Sequence, residues 1–363
     1  MNKNQFDGSI NWITSGELKE HYISDTKEKI SEEAAKNNSL KLLPVGTFVI
    51  AIYGLEANGV RGTCSITTRE STISQACMAF TSKMDIQNEF LYSWYKKHGN
   101  IIGIKYAQGT KQQNLSYDII ERFNISYPCM EEQKKLIRFI SLIDQRIATQ
   151  NKIIEDLKKL KSAITQKLLN DRVLLETRIS LGEVCELKNG YAFKSSSYCR
   201  NGKYKILTIA NVQGNRYIST EDCKTISYLP KDLQEHQVLR ENDILISMTG
   251  NVGRVSLCND GHYLLNQRVG LLAPKIKEVE FLFQVLASEH FEQSMIACGQ
   301  GAAQMNIGKS GIDGYMLPFS RKSDNMNHIA KVLQAYDNCI NTNVKLLDYL
   351  ILQKQYLLSQ MFI

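Results

Sequence analysis

Two apolar ladders, 193 positions apart, constrain this chain more than any other feature it has. Leu136, Ile140, Ile143, Ile147, Ile154, Leu157, Ile164 and Leu168 recur at alternating spacings of four and three, broken only by Gln150 and Lys161. Ile329, Leu333, Tyr336, Ile340, Leu347, Leu350, Leu357 and Met361 keep the same rhythm, broken only by Asn343 and Lys354 at equivalent rungs. A seam that recurs every 3.5 residues on average faces one partner helix, whereas a globular-core helix shows a broader stripe. Both segments therefore read as coiled-coil helices of roughly 35 to 40 residues, a rod of about 50 to 60 Å.

The polar breaks argue for orientation. Paired parallel and in register, Lys161 would face Lys354 in a desolvated layer, a costly juxtaposition. Paired antiparallel, Ile143 faces Met361, Ile154 faces Leu350, and Leu168 faces Tyr336. Gln150 then meets Lys354, and Lys161 meets Asn343, each amide oxygen accepting from an ammonium. The antiparallel rod is the expectation, with Gln150, Lys161, Asn343 and Lys354 as register markers. The alternative is that each helix packs on its own domain.

The duplication extends outside the helices. Residues 46–54 (GTFVIAIYG) match 242–250 (NDILISMTG), a buried strand ending in a glycine turn. Residues 108–114 (QGTKQQN) match 300–306 (QGAAQMN), a polar glycine-containing loop, and 12–18 (WITSGEL) match 206–212 (ILTIANV) more loosely. One repeat this long is a tandem copy of a domain plus helix, not a solenoid. The expected fold is α+β. Two mixed α/β domains, 1–129 and 180–322, are each followed by a long helix, 130–170 and 323–363, with a linker at 171–179. The copies differ at their start: 26 residues, 180–205, precede the strand at Ile206, but only 11 precede Trp12. The first domain is thus expected to lack an opening strand and glycine turn, through truncation or trimming.

At 363 residues the chain suffices for two cores, and 43% hydrophobic with 22% charged residues is ordinary globular composition. The longest apolar stretch, 42–52, is too short to span a bilayer, and the first ten residues hold no hydrophobic signal core. The expectation is a cytoplasmic protein. Nine cysteines and six histidines are dispersed without metal-ligand spacing, so reduced, mostly buried thiols are expected and no metal site is. The formal charge of +7 permits a polyanionic partner without requiring one.

Catalytic signatures are missing from the sequence. None of the five prolines is followed by Asp, as a nuclease carboxylate set would often have it, and none follows Asn or Asp, as an amino-methyltransferase loop requires. Gly308, Lys309 and Ser310 resemble the end of a phosphate loop, but the glycine required five positions before Gly308 is Ala303. The chain by itself is expected not to be an enzyme.

Residues 128–135 (PCMEEQKK), then 139–144 (FISLID) and a coiled-coil run closing at 166–169 (QKLL), resemble a conserved region of type I restriction-modification specificity subunits. Residues 181–184 (LGEV), 242–245 (NDIL) and 300–301 (QG), with 14–18 (TSGEL), resemble the target recognition domains of that family. The likeness covers the whole chain. It implies a non-catalytic DNA reader whose two recognition domains each read half of a split, asymmetric site, with the helices as the ruler between them. It implies as partners double-stranded DNA, two methyltransferase subunits and motor-nuclease restriction subunits, and no membrane. The complex it would join is an adenine-N6 methyltransferase and ATP-dependent endonuclease. S-adenosylmethionine, ATP and magnesium would belong to the partner subunits, with no cofactor in this chain. The alternative is an orphan or recombining specificity protein, with an incompetent first domain, acting as scaffold or allele donor.

Base readout needs side chains with paired donors and acceptors, chiefly Arg, Lys, Asn and Gln. The DNA-binding candidates in the first domain are Ser15, Arg61, Arg69, Lys105, Tyr106, Gln108, Lys111, Gln112, Gln113 and Asn114. In the second they are Lys188, Asn189, Tyr191, Lys194, Asn211, Asn251, Arg254, Gln267, Arg268, Gln300, Gln304 and Asn306. Gln108 and Gln300, shared by both copies, are candidates for structural roles. Lys111 and Arg268, which align with Ala303 and Ala76, are the better specificity candidates.

Overall fold

The apolar runs at 46–54 and 242–250 become inner strands of two four-stranded sheets, one in each of two compact units. The computed structural model describes residues 6–82, 85–109, 111–299 and 305–362. Unit one comprises Met1–Gln150 and Leu346–Ile363, and unit two Asn151–Lys345.

Unit one holds β1 (Ile10–Ile13), β2 (Tyr22–Ile23), β3 (Lys29–Ile30), α1 (Glu32–Asn37), β4 (Phe48–Ala51), β5 (Cys64–Thr67), β6 (Ser71–Ile73), β7 (Cys77–Phe80), α2 (Asn88–Tyr106) and α3 (Tyr117–Ile120). It also takes the first part of α4 (Met130–Leu169). Unit two takes the remainder of α4, then β8 (Thr177–Ser180), α5 (Leu181–Val184), β9 (Cys185–Asn189), β10 (Tyr204–Leu207), β11 (Lys224–Ile226) and β12 (Ile244–Ser247). There follow β13 (Val255–Leu257), β14 (Tyr263–Leu265), β15 (Val269–Pro274), α6 (Val279–Leu286), α7 (Glu289–Cys298), α8 (Lys309–Asp313), β16 (Met316–Phe319) and α9 (Ser323–Met361), whose end returns to unit one.

The strand pairings repeat. β1 lies antiparallel to β3 and parallel to β6, as β10 lies antiparallel to β11 and parallel to β14. β4 is flanked by β5 and β7, and β12 by β13 and β15, all antiparallel. The aligned turn residues Gly46 and Asn242 take φ of +82° and +66°, a left-handed conformation that glycine and asparagine tolerate best. One strand breaks the symmetry. β9 lies along β15 from Cys185 to Asn189, but among the described residues nothing corresponds to it on β7, which is the sheet's edge.

Each ladder rung on α4 and α9 is buried or half-buried, so the predicted seam faces inward. Within unit two, Lys161 pairs with Asp337 at 2.5 Å, while Ile164, Leu168 and Leu169 share a core with Met326, Ile329, Ala330 and Leu333. Advancing along α4 therefore means retreating along α9, an antiparallel arrangement. Unit one shows the same sense: Asp144 pairs with Lys354 at 2.5 Å, while Leu136 and Ile137 share a core with Leu358, Met361 and Phe362.

The register differs from the expectation. Lys354 and Lys161 reach carboxylates, Asp144 and Asp337, each six residues before the expected amides Gln150 and Asn343. The Asn343 amide donates to the Cys339 carbonyl of its own helix at 2.8 Å. A seven-residue pattern is unchanged by a slide of one heptad, so the apolar rungs do not choose between registers. Charge-assisted bonds to a carboxylate, stronger than those to a neutral amide, do. The Asp144 pair is about one-third exposed, so Asp144→Ala is expected to cost only about 0.2–1 kcal/mol in urea unfolding.

The motif at 128–135 has a structural role. Gln133 is fully buried; its amide donates to the Asp85 carbonyl at 2.7 Å and the Pro128 carbonyl at 2.9 Å, and its oxygen accepts from the Gln87 N–H at 2.9 Å. That side chain fastens the start of α4 to the segment leading into α2. Just past the end of α9, Phe362 inserts beside Phe90 of α2 with ring centroids 5.1 Å apart, and Lys97 donates to the Phe362 carbonyl.

Candidate nucleic-acid interface

In each unit one end of the main sheet collects loops from several strands, because the inner strand leaves where its neighbour enters. In unit one β4 ends at Ala51 opposite Cys77, the first residue of β7. The chain then runs through Gly54, at φ +72°, into a loop that meets 108–114: the Leu55 N–H donates to the Gln113 carbonyl at 3.0 Å. Gln108 and Asn114 close that second loop as an antiparallel bridge. The Arg61 guanidinium donates to Gln113 Oε1 at 2.6 Å, and the Gln113 N–H donates to the Glu56 carboxylate at 2.7 Å.

Unit two repeats the design. The Gly250 N–H, at φ +75°, donates to the Met305 carbonyl at 2.8 Å, and Thr249 bridges Asn306. At the same rim the Met248 N–H donates to the Arg268 carbonyl at 3.0 Å, the Tyr191 N–H donates to the Leu265 carbonyl at 2.8 Å, and the Gln267 N–H donates to the Tyr191 carbonyl at 3.0 Å. Asn189, Asn251, Gln267, Arg268 and Asn306 are exposed there. Tyr191, with its hydroxyl on Asp232 at 2.8 Å and its ring against Phe193, marks the end of β9. Lys188 sits one residue before that end, half-buried, and Lys194 follows it, exposed.

The structure sorts the sequence candidates. Lys105, Tyr106, Gln108, Lys111 and Gln112 are exposed or nearly so at or just after the end of α2, with Lys105 Nζ 5.1 Å from the Tyr106 ring centroid. Ser15 lies at the same end, just beyond β1. Gln113 and Asn114 are half-buried and occupied in closing the loop, Asn114 Oδ1 accepting from the Gly54 N–H at 3.4 Å. Arg254 is held by Glu292 on α7, Nε to carboxylate 3.3 Å. Gln300 and Gln304 lie outside the described residues.

Two candidates leave the set. Arg69 follows Thr67, which pairs beside Thr47 at the start of β4, so it stands at the opposite end of the sheet from the rim. Asn211 is buried: its Oδ1 accepts from the Thr208 N–H at 2.8 Å and its amide donates to the Ser219 carbonyl at 3.0 Å. Glu17, aligned with it in the first copy, accepts from the Thr14 N–H at 2.9 Å. The shared position is a turn brace in both copies.

The described residues contain no group of three or more His, Cys, Asp or Glu placed to hold a metal ion, and no helix long and apolar enough to cross a membrane. Burial pushes the thiols of Cys64, Cys77, Cys185 and Cys258 up to about 12, which leaves them protonated and unreactive. Cys129, Cys199, Cys298 and Cys339 are exposed. A thiol-specific reagent is therefore expected to modify those four in the native chain and the four buried ones only after denaturation, as peptide mapping would show.

The likenesses to known proteins agree with this geometry. The Type I restriction enzyme MjaVIII specificity subunit of Methanocaldococcus jannaschii is 28% identical over 265 residues, 66% of this chain and 61% of that protein. The chain thus spans about three-fifths of the length of that curated relative. The crystal structure of the type I restriction-modification S subunit from M. genitalium matches with a TM-score of 0.56 at 16% identity, covering 100% of this chain and 91% of that one. A chain from a structure of type I R-M complex assembly and conformational transition matches with a TM-score of 0.60 at 15% identity, covering 99% and 92%. At these identities the structural matches speak for the fold alone. The family described as Type I restriction modification DNA specificity domain matches residues 1–159 and 176–350, most of the sequence, and the chain belongs to it.

Proposed function

We infer that this chain is the DNA-reading subunit of a type I restriction-modification complex, each rim reading one half of a bipartite, asymmetric site. The observation that carries this is the repeated rim itself: in both units the glycine turn after the inner strand, at Gly54 or Gly250, hydrogen-bonds the end of a second loop, at Asn114 or Met305, and the rims bear different exposed side chains, Lys111 and Gln112 in one, Gln267 and Arg268 in the other. A common frame with divergent polar tips suits two readers of different sequences.

The helices set the distance between readers and hold two methyltransferase subunits. Apart from their inward seam they carry a second apolar stripe: Phe139 and Leu142 on α4, and Leu346, Tyr349, Leu352 and Tyr356 on α9, with Tyr349 and Tyr356 68% and 65% exposed. A long helix with apolar residues on two faces suits packing against more than one helix. In this reading adenine-N6 methylation and ATP-dependent cleavage belong to the methyltransferase and motor-nuclease subunits, which bring S-adenosylmethionine, ATP and magnesium.

Co-expression with the cognate methyltransferase subunit, followed by sequencing of methylated adenines, tests this. A split motif modified on both strands is the expected result, and no modification overturns it. Among the described residues β7 has no strand on its outer side, which suits a second reading, in which an incompetent first domain leaves the chain a scaffold or allele donor. That reading predicts no modification until a strand equivalent to β9 is grafted onto the first domain.

A further inference from the structure

Unit two contains a buried ionic cluster that joins its reading domain to its helices. Arg216, in the loop between β10 and β11, forms a two-pronged pair with Glu280 of α6, both N···O distances 2.7 Å, and reaches Asp337 of α9 at 3.1 Å. Asp337, 7% exposed, also takes Lys161 of α4 at 2.5 Å and the Gln284 amide of α6 at 2.7 Å. One carboxylate thus accepts from a recognition-domain loop, a recognition-domain helix and the facing long helix. The Arg216 guanidinium lies over the Phe283 ring, 5.2 Å from its centroid, and the Arg216 carbonyl accepts from the Leu257 N–H at 2.7 Å, which ties the loop to β13.

The charges balance, two acids against two bases, but such a cluster replaces packing that apolar side chains would supply without desolvation cost. Its position gives a reason for it. The reading domain also meets the helices through an apolar patch, where Phe281, Val285 and Leu317 share a core with Leu169, Ile329 and Leu333. Beside the cluster lies a cleft of about 990 Å³, lined by Arg216, Lys161 and Asp337 and also by Lys158, Tyr217 and His290. Apolar contact is non-directional and lets a domain rock, whereas a two-pronged guanidinium–carboxylate pair fixes angle as well as distance.

We propose that Asp337 and Arg216 are positioning residues that set the angle of the second reading domain on its helices, and so the spacer length the chain accepts between DNA half-sites. This rests on the recognition function inferred above. Neither side chain reads a base in this scheme; both determine where the rim around Arg268 is held.

The test uses the full chain assembled with its methyltransferase subunit, and duplexes carrying the native half-sites at the native spacer or one base pair longer or shorter. Modification by the unsubstituted complex is measured first; its absence would overturn the recognition reading rather than this one. Asp337→Asn and Arg216→Met are expected to keep the half-site sequences but lower the preference for the native spacer by about tenfold or more, since misplacement by about 1 Å can cost up to about a hundredfold. Leu333→Val, in the apolar patch, is expected to weaken modification equally at every spacer. Should Asp337→Asn not fold, Arg216→Lys keeps the charge and loses the two-pronged geometry, and is expected to relax spacer choice likewise. An unchanged spacer preference in the folded variants overturns the proposal.

Discussion

Arg268→Ala is expected to lower discrimination at one base position by about 10- to 100-fold, in one half of the bipartite site only, and to leave the other half unchanged. The Arg268 backbone is pinned: its carbonyl accepts from Met248 and its N–H donates to Asn266 Oδ1 at 3.3 Å. Its side chain is exposed between β14 and β15 at the rim, where the aligned residue of the first copy is Ala76. A two-pronged arginine–guanine contact contributes about 1–3 kcal/mol of discrimination, which gives the stated range. Lys111→Ala is the counterpart for the other half-site. Sequencing methylated adenines after co-expression with either variant supplies the readout, and equal weakening of both halves by Arg268→Ala would refute the assignment.

Phe281→Ala is expected to destabilise unit two by about 3–5 kcal/mol, a large share of the roughly 5–15 kcal/mol that holds a folded domain. The ring is fully buried on α6, in the core that unites the second sheet, α7 and the two long helices. Both tryptophans, Trp12 and Trp94, lie in unit one. The loss should therefore show as an earlier transition by circular dichroism, while the tryptophan-fluorescence midpoint moves much less. Coincident, equally shifted transitions would show instead that the units unfold as one.

The long helices are legible in the sequence because few structures other than a paired helix need an apolar residue every 3.5 positions over about 35 residues. Their sense is legible because two lysines must be kept apart. The register is not. The simplest alignment puts Lys161 and Lys354 opposite amides, whereas a seven-residue pattern looks the same after a slide of one heptad, and in the structure the two ammonium groups reach Asp337 and Asp144. The two loops of each rim are legible as matched glycine-containing segments. Which of their polar side chains face outward is not, since Asn211 and Gln267 are equally polar on paper, yet one is buried as a turn brace and the other exposed. Arg216 and Asp337, 121 residues apart, carry no sequence signal at all.

The amino-acid sequence by itself determined the duplication, the inward seams of α4 and α9, and the strands at 48–51 and 244–247. All of these are periodic or repeated local patterns, and local patterns survive without knowledge of the fold. Only the tertiary structure decided the helix register, the removal of Arg69 and Asn211 from the rim, and the ionic cluster around Asp337. Those depend on distances between residues far apart in the chain, where a single long side chain or a one-heptad slide changes the partner and leaves the local pattern as it was.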